Sequence, residues 1–402
     1  MVLGSDSLRI AIAGATSLRG KDLRQWIDES GFPVGEVRLL DEELAVGTLA
    51  EVAGEPVVVQ PVDEASFERT RFVFFTGSPA FAAAHARSAQ RAGATVIDMT
   101  GSLSAVPGAR LWIPHLDAEL AAPPSGHADS QAPIAAPSGP ASDKKFGAAR
   151  TPAVSRGDGA PSGTPSDKKS GAITACIAPS AAAIVACSLS AALKPFSLAR
   201  LAITFFAPVS DRGQPGVDEL ENQTVKLLSL QPMPQAVFDT QVAFTLLDRW
   251  GSGSAVSLSS MRAAIASEVR EYLADRLPSP AIALVHAPVF FGCAFSAYAE
   301  FASPARATTA GAPAAGAPTF DIAAEVSAPQ LAARLSAAGF TVGGEDDPSL
   351  SNVSVAGESQ LFVTPPARDP NVENAYWLWG AVDNLRLASA NALRIAERLL
   401  VS

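Results

Sequence analysis

The sequence has little of what disulfide, metal or nucleic-acid proteins need. Its three cysteines, Cys176, Cys187 and Cys293, are too few for a disulfide framework, and no CxxC or histidine pair suggests zinc. Acidic residues outnumber basic ones, 40 to 30, and the net charge of −10 argues against nucleic acid or an anionic membrane surface as partner. An uncharged stretch, Gly171 to Leu193, has about the length of a spanning helix. It lacks the rest: Pro179 interrupts it, alanine and serine dominate it, and no aromatic belt flanks it. Residues 1–7 lack the basic and apolar regions of a signal peptide, so a soluble, cytoplasmic protein is the expectation.

What is present suits a globular chain of two or three domains, with 48% hydrophobic residues among 402. The uncharged stretch parses as a short strand (Ala175 to Ala178), a turn at Pro179-Ser180, and a helix from Ala181 to about Leu193. Such a helix aims free N–H groups and its positive dipole end at the turn, where an enzyme places a nucleophile or binds an anion. The helix opens with Ala181-Ala182-Ala183, which carry no chemistry, and Ser180 has no visible base and reads as a cap.

The N-terminal third alternates strand and helix. Leu8 to Ala13 is a strand, followed by Gly14-Ala-Thr-Ser-Leu-Arg-Gly20, a dinucleotide-type loop in which Thr16, Ser17 and Leu18 lie between the two glycines. A helix from about Lys21 to Ser30 leads to a strand, Glu36 to Leu40, that ends at Asp41. An acid at this distance can accept a hydrogen bond from a ribose 2′-OH, and it disfavours a 2′-phosphate, so NAD rather than NADP is expected. Further strands are read at Val57 to Pro61, at Phe72 to Thr76 (followed by Gly77) and at Gly93 to Asp98, predicting a parallel sheet with ligands at its carboxyl ends. Residues 121–170 and 303–318 are low-complexity inserts, the first with a near-repeat of Ser-Asp-Lys-Lys. Beyond the central helix, strands are expected at Leu201 to Phe206 and Ile282 to Phe290, with helices at Val217 to Leu230, Ser259 to Leu273 and Ala328 to Ala338. Trp379 to Leu400 reads as one long amphipathic helix.

This order of elements resembles the aspartate-semialdehyde dehydrogenase family over nearly the whole chain outside the inserts. The residues that carry the resemblance are the Gly-Ala-Thr loop, Phe32 to Leu40, Val96-Ile-Asp-Met-Thr100, Pro208-Val-Ser-x-x-Gly-x-x-Gly-Val-Asp-Glu-Leu220, Asp369-Pro-x-Val-Glu-Asn374 and Trp379-x-x-x-Asp-Asn-Leu-Arg386. The resemblance implies an α/β fold. A Rossmann-type dinucleotide-binding domain (1–172) is joined to an α+β substrate and dimerisation domain (173–365), and a C-terminal helix (366–402) returns to the first domain, bringing Asn384 to the cofactor. It also implies a homodimer formed through the middle domain. Such enzymes use a cysteine thiolate, a histidine and arginines to oxidise an aldehyde and release an acyl phosphate. Here the cysteine position falls on Ala181, the histidine on Cys293, a substrate arginine on His286, a glutamine on Ala207 and a phosphate arginine near Ser104. Two readings follow. One is a non-catalytic homologue that keeps the fold, the dimer surface and nucleotide binding and acts as a partner or regulatory subunit. The other is an NAD-dependent oxidoreductase with a rearranged site, in which Cys293 is either a displaced nucleophile or a small buried hydrophobe.

Overall fold

The structure, a computed structural model, describes residues 8–42, 45–52, 54–63, 65–121, 175–302, 325–344 and 348–401. Both expected inserts lie outside these, apart from Ala121. The first half builds β1 (Arg9–Ala13), α1 (Leu18–Ser30), β2 (Glu36–Asp41), β3 (Leu49–Val52), β4 (Glu55–Val58), β5 (Gln60–Pro61), β6 (Phe72–Phe75), α2 (Pro79–Arg91), β7 (Thr95–Asp98), β8 (Ala109–Leu111), α3 (Asp117–Ala121) and β9 (Ala175–Ile177). Among the described residues, seven of these strands form one sheet in the order β5-β2-β1-β6-β7-β9-β8, every pair parallel. Its centre is apolar on both faces, as helices on both sides require: all four residues of β6, Phe-Val-Phe-Phe, are buried.

The second half adds α4 (Ala181–Leu193), β10 (Leu198–Ala207), α5 (Gly213–Leu228), α6 (Leu258–Leu273), β11 (Ala281–His286), β12 (Cys293–Phe301), α7 (Ala328–Ala337), β13 (Phe340–Val342), β14 (Leu361–Val363), β15 (Ala367–Arg368), β16 (Ala375–Val382) and α8 (Asn384–Val401). A mixed sheet runs β11-β10-β12-β16-β14-β13, with β15 also paired to β16. Burial alternates along β10 and β12, so Phe205, Phe295 and Phe301 face the core while Phe206 and Tyr298 turn outward. Every residue of α4 is buried, and its core cluster joins residues of both sheets. A helix apolar all round has no solvent face to present. Among the described residues, no helix is long and apolar enough to cross a membrane.

Three expectations need correction. The helix expected from Trp379 begins only at Asn384; Ala375–Val382 is instead the strand β16, because its aromatic, alternately buried residues pair with β12 along its whole length. The strand expected at Val57 to Pro61 is split, β4 folding back on β3 as a hairpin while β5 joins the large sheet. The strand expected to reach Phe290 stops at His286, where the chain turns through Gly292 (φ 78°) into β12. Sheet membership also crosses the expected domain limits: β9 belongs to the first sheet and β16 to the second.

Long side-chain ties hold this frame. Arg386 of α8 reaches Asp22 (3.0 Å) and Glu29 of α1 and lies 4.9 Å from the Trp26 ring. On α5, Glu219 accepts the backbone N–H groups of Val237 and Phe238, and Gln223 accepts those of Val242 and Ala243. Two adjacent turns of one helix thereby fix a loop that has almost no secondary structure of its own.

Candidate functional site

The carboxyl end of β1 is built by close backbone contact. Gly14 has φ 96°, and a Cβ there would lie 2.2 Å from the Gly77 nitrogen; one on Gly20 would lie 2.4 Å from the Gly14 oxygen. Only glycine lets these turns approach so closely. Ser17 caps α1, its Oγ accepting the Gly20 N–H (3.0 Å) and donating to the Thr76 carbonyl (2.9 Å). Thr16 donates from both N and Oγ1 to Asp41 Oδ2, each at 2.7 Å, while Glu42 N donates to Oδ1. The carboxylate expected to meet a ribose thus also stitches the glycine loop to the end of β2.

A cavity of about 540 Å³ opens beside this loop. Among the described residues, α1, α2, α4, α5 and α8 all begin on it, so their positive dipole ends converge there, with some first-turn N–H groups already taken by Ser17, Ser78, Ser180 and Asp383. Ser17, Leu18, Gly77 and Asn384 line it, joined by Ser180, Ala181 and Cys293. Gly14, Thr16, Gly20 and Asp41 shape the loop from behind and do not line it. Neither do Ala207 and His286. Ala207 is buried in β10. His286 is 0% exposed against Phe238 and Trp250, with ring centroids 5.5 and 6.0 Å away, and burial pushes its pKa down to about 4. The Val242 backbone opposes that shift weakly without reaching hydrogen-bond geometry. Ser104 is exposed, its hydroxyl donating to the Gly101 carbonyl.

At the mouth of α4, Ala181 is 6% exposed and begins the helix. Ser180 caps it, accepting the Ala183 N–H at 3.3 Å. Its Oγ donates to Glu268 Oε2 at 2.6 Å, and its N–H donates to the same oxygen at 3.1 Å. Burial raises the Glu268 carboxyl pKa, the two Ser180 donors and the Arg19 charge partly opposing it. Cys293 is 4% exposed. Burial first, then the neighbouring Asp211 charge, push its thiol well above the ordinary range, so it holds its proton. Asn384 donates to Asp211 Oδ1 (2.8 Å) and Ser210 Oγ (3.1 Å) and accepts the Gly292 N–H (3.0 Å). Burial raises the Asp211 pKa against the Asn384 hydrogen bond and the Arg19 charge. Arg212 lies 5.7 Å from the Trp250 ring, its Nε buried without a hydrogen-bond partner.

Sequence reading missed Glu268, Asp211, Arg212 and Arg19. For Glu268 a signal existed: it shares a face of α6 with Met261, Ala264 and Ile265, a carboxylate on an otherwise apolar stripe. Asp211 and Arg212 stand at the two unspecified places of Pro208-Val-Ser-x-x-Gly, where pattern alone is silent. Chemically the cavity combines two guanidinium groups, two carboxyls, six hydroxyl residues and helix N-termini, a set suited to an anionic or zwitterionic ligand. No group of three or more metal-ligating side chains is found among the described residues.

Comparison with known proteins agrees with this frame. Residues 9–123 match the semialdehyde dehydrogenase NAD-binding domain. A USG-1 protein homolog of Azotobacter vinelandii is 27% identical over 398 residues, 98% of each chain. Aspartate-semialdehyde dehydrogenase 2 of Vibrio cholerae is 24% identical over 404 aligned positions, again 98% of each. The crystal structure of aspartate semialdehyde dehydrogenase II from the same organism superposes with a TM-score of 0.71 at 22% identity, covering 99% of both chains, which establishes the shared fold. Along nearly its whole length the chain is therefore similar to aspartate-semialdehyde dehydrogenases and USG-1 homologues, and residues 9–123 match the NAD-binding domain of semialdehyde dehydrogenases.

Proposed function

We propose that this chain is a dinucleotide-binding member of the aspartate-semialdehyde dehydrogenase family that does not carry out thiolate-dependent aldehyde oxidation. The observation that carries the reading is the mouth of α4. Alanine begins the helix there, and the one cavity-lining thiol among the described residues, Cys293, is buried, protonated and without an imidazole beside it. A thiolate is needed to form the hemithioacetal from which hydride would leave, and an imidazole would supply roughly 10²–10⁴-fold in proton transfer. The glycine loop supports cofactor binding. Gly14, Gly20 and Gly77 leave no side chains over the backbone, Ser17 and Leu18 open α1 on the cavity, and the pyrophosphate of a dinucleotide suits that helix start. NAD is favoured over NADP because Asp41 and Glu42 are neighbours there, and Glu42 is tied to Ser78 Oγ at 2.8 Å. A bound nicotinamide cofactor would act as hydride acceptor or donor.

The test follows reduced-cofactor formation from aspartate semialdehyde and phosphate, with NAD and NADP, beside equilibrium titration of both. Binding of NAD without turnover is expected. Robust turnover abolished by Cys293→Ala would establish the second reading instead, a rearranged oxidoreductase; its support is that Cys293 does line the cavity.

A homodimer through the second sheet belongs to the same proposal. Trp377 and Trp379 are 46% and 38% exposed on its outer face, packed at a tilt against Tyr298 (5.1 Å) and Phe206 (5.8 Å). Clustered aromatics of this kind suit a covered surface. Sedimentation at micromolar concentration should give a dimer, and Trp377→Glu with Trp379→Glu a monomer.

A further inference from the structure

We infer that Ser180 and Glu268 form a nucleophile–base pair that gives this cavity an acyl-transfer activity independent of any nicotinamide cofactor, acting on activated esters of anionic carboxylic acids. Ser180 lacks a base in the sequence, but the fold supplies one from 88 residues away. Its Oγ is 2.6 Å from Glu268 Oε2, within the range required of a nucleophile and its base. The pair lies on the cavity, not in a closed core. Glu268 is positioned by a second bond, from the Ser180 N–H, so its carboxylate cannot swing away without losing two partners. The free N–H groups of Ala181 and Ala182 open α4 immediately beside the hydroxyl and have no intrahelical acceptor. Backbone donors at such a helix start can stabilise an oxyanion forming next to them. Arg19 and Arg212 on the same cavity supply positive charge for an acid substituent of the substrate.

The step balances without a redox partner. Ser180 Oγ bonds to the acyl carbon while its proton passes to Glu268 Oε2, and the carbonyl electron pair moves onto oxygen between the two N–H groups. Collapse breaks the bond to the leaving alcohol, which takes the proton from Glu268. Water then attacks the acyl-serine, giving its proton to Glu268, and Ser180 Oγ leaves with that proton. The products are a carboxylic acid and an alcohol.

The experiment uses the full chain without nucleotide, so a failure to bind NAD leaves it untouched. The mono-p-nitrophenyl ester of succinic acid should give a burst of p-nitrophenolate. Acid quenching and peptide mass spectrometry should then place the succinyl group on Ser180, and a fluorophosphonate should label the same residue. Glu268→Gln should slow acylation by roughly 10²–10⁴-fold. The wild-type rate should fall as pH drops through the Glu268 titration. Ser180→Asn keeps a helix-capping side chain but has no hydroxyl, so it should show no burst while melting near the wild type. Arg19→Ala should erase the preference for the succinyl ester over p-nitrophenyl acetate. The inference is overturned if label lands on a lysine or on Cys293, if none appears, or if Ser180→Asn still shows the burst. Should Ser180→Asn fail to fold, the labelling map of the unaltered protein decides alone, Ser180 supporting the pair and any other site or none refuting it.

Discussion

The starts of α1 and α4 use the same local device for opposite ends. Each follows a parallel strand of one sheet, turns, and begins beneath a serine cap, Ser17 in one case and Ser180 in the other. Around α1 the working parts are backbone groups, and side chains would only obstruct, so the information is carried by glycines. Around α4 the helix is wholly buried and opens with alanine, so side-chain chemistry there rests on the Ser180 cap and on Glu268, brought in from another helix. A backbone site is erased by adding atoms, whereas a side-chain site is erased by removing them. The glycines of the first are intact, while the helix start of the second is bare alanine.

The strongest way to break that contrast is Gly14→Ala. The new methyl meets the Gly77 backbone in a conformation alanine resists, and a loss of about 4 kcal/mol or more is expected from strain and overpacking together. Gly31→Ala shares the positive φ at the other end of α1 but points into open space, and should cost only about 1 kcal/mol. Urea denaturation of the two variants checks this; equal losses would mean that φ, not the approach of Gly77, explains the glycine. Next is Arg386→Leu, which leaves Asp22 buried without its cation and loosens α8 from α1. About 3 kcal/mol should be lost, with the melting temperature as readout.

The third effect emerges only on acidification and belongs to the α4 side. Burial holds both His286 and His115 (whose Nε2 lies 3.0 Å from Ser188 on α4) at about 4, with the Arg394 charge a second cause for His115. In the unfolded chain each titrates near 6.5. Between those values the unfolded state binds protons that the folded state refuses. The stability they confer is therefore complete above about pH 6.5, is lost as pH falls, and is gone below about 4. Each contributes a slope of up to about 1.4 kcal/mol per pH unit in that window. Urea midpoints from pH 7 to 4.5 should show a shallower decline in His286→Leu. An unchanged decline would mean that the ring already accepts its proton in the folded protein.

The parallel sheet was legible because its strands are apolar runs set between helix patterns and glycine turns, as at Phe72 to Phe75 and Gly14. The helix α4 was legible to the residue because Pro179 and Ser180 mark its start. β16 was not, since Trp379 to Val382 continues smoothly into a helical pattern and only pairing with β12, some 80 residues away, decides for strand. The cavity was half legible. Its glycine side follows from local spacing, whereas the bond between Ser180 and Glu268 spans 88 residues, and no local signal reports such a distance. His286 illustrates the converse: a family-like position in the sequence, yet a side chain turned into an aromatic cage behind the cavity.

The convergence of helix starts has a consequence for how ligands come and go. The molecule carries a net charge of −10, so at long range it repels the anions that its cavity is built to hold. Within the cavity the helix ends, Arg19 and Arg212 oppose that repulsion, while burial disfavours ionisation of the two carboxyls there, Asp211 and Glu268. Added salt, with a screening length near 10 Å at 0.1 M, acts on the two ranges differently. It lowers the outer barrier and hastens arrival while shortening residence inside. Anionic ligands should therefore exchange faster with rising ionic strength in both directions, and their affinity should change less than either rate.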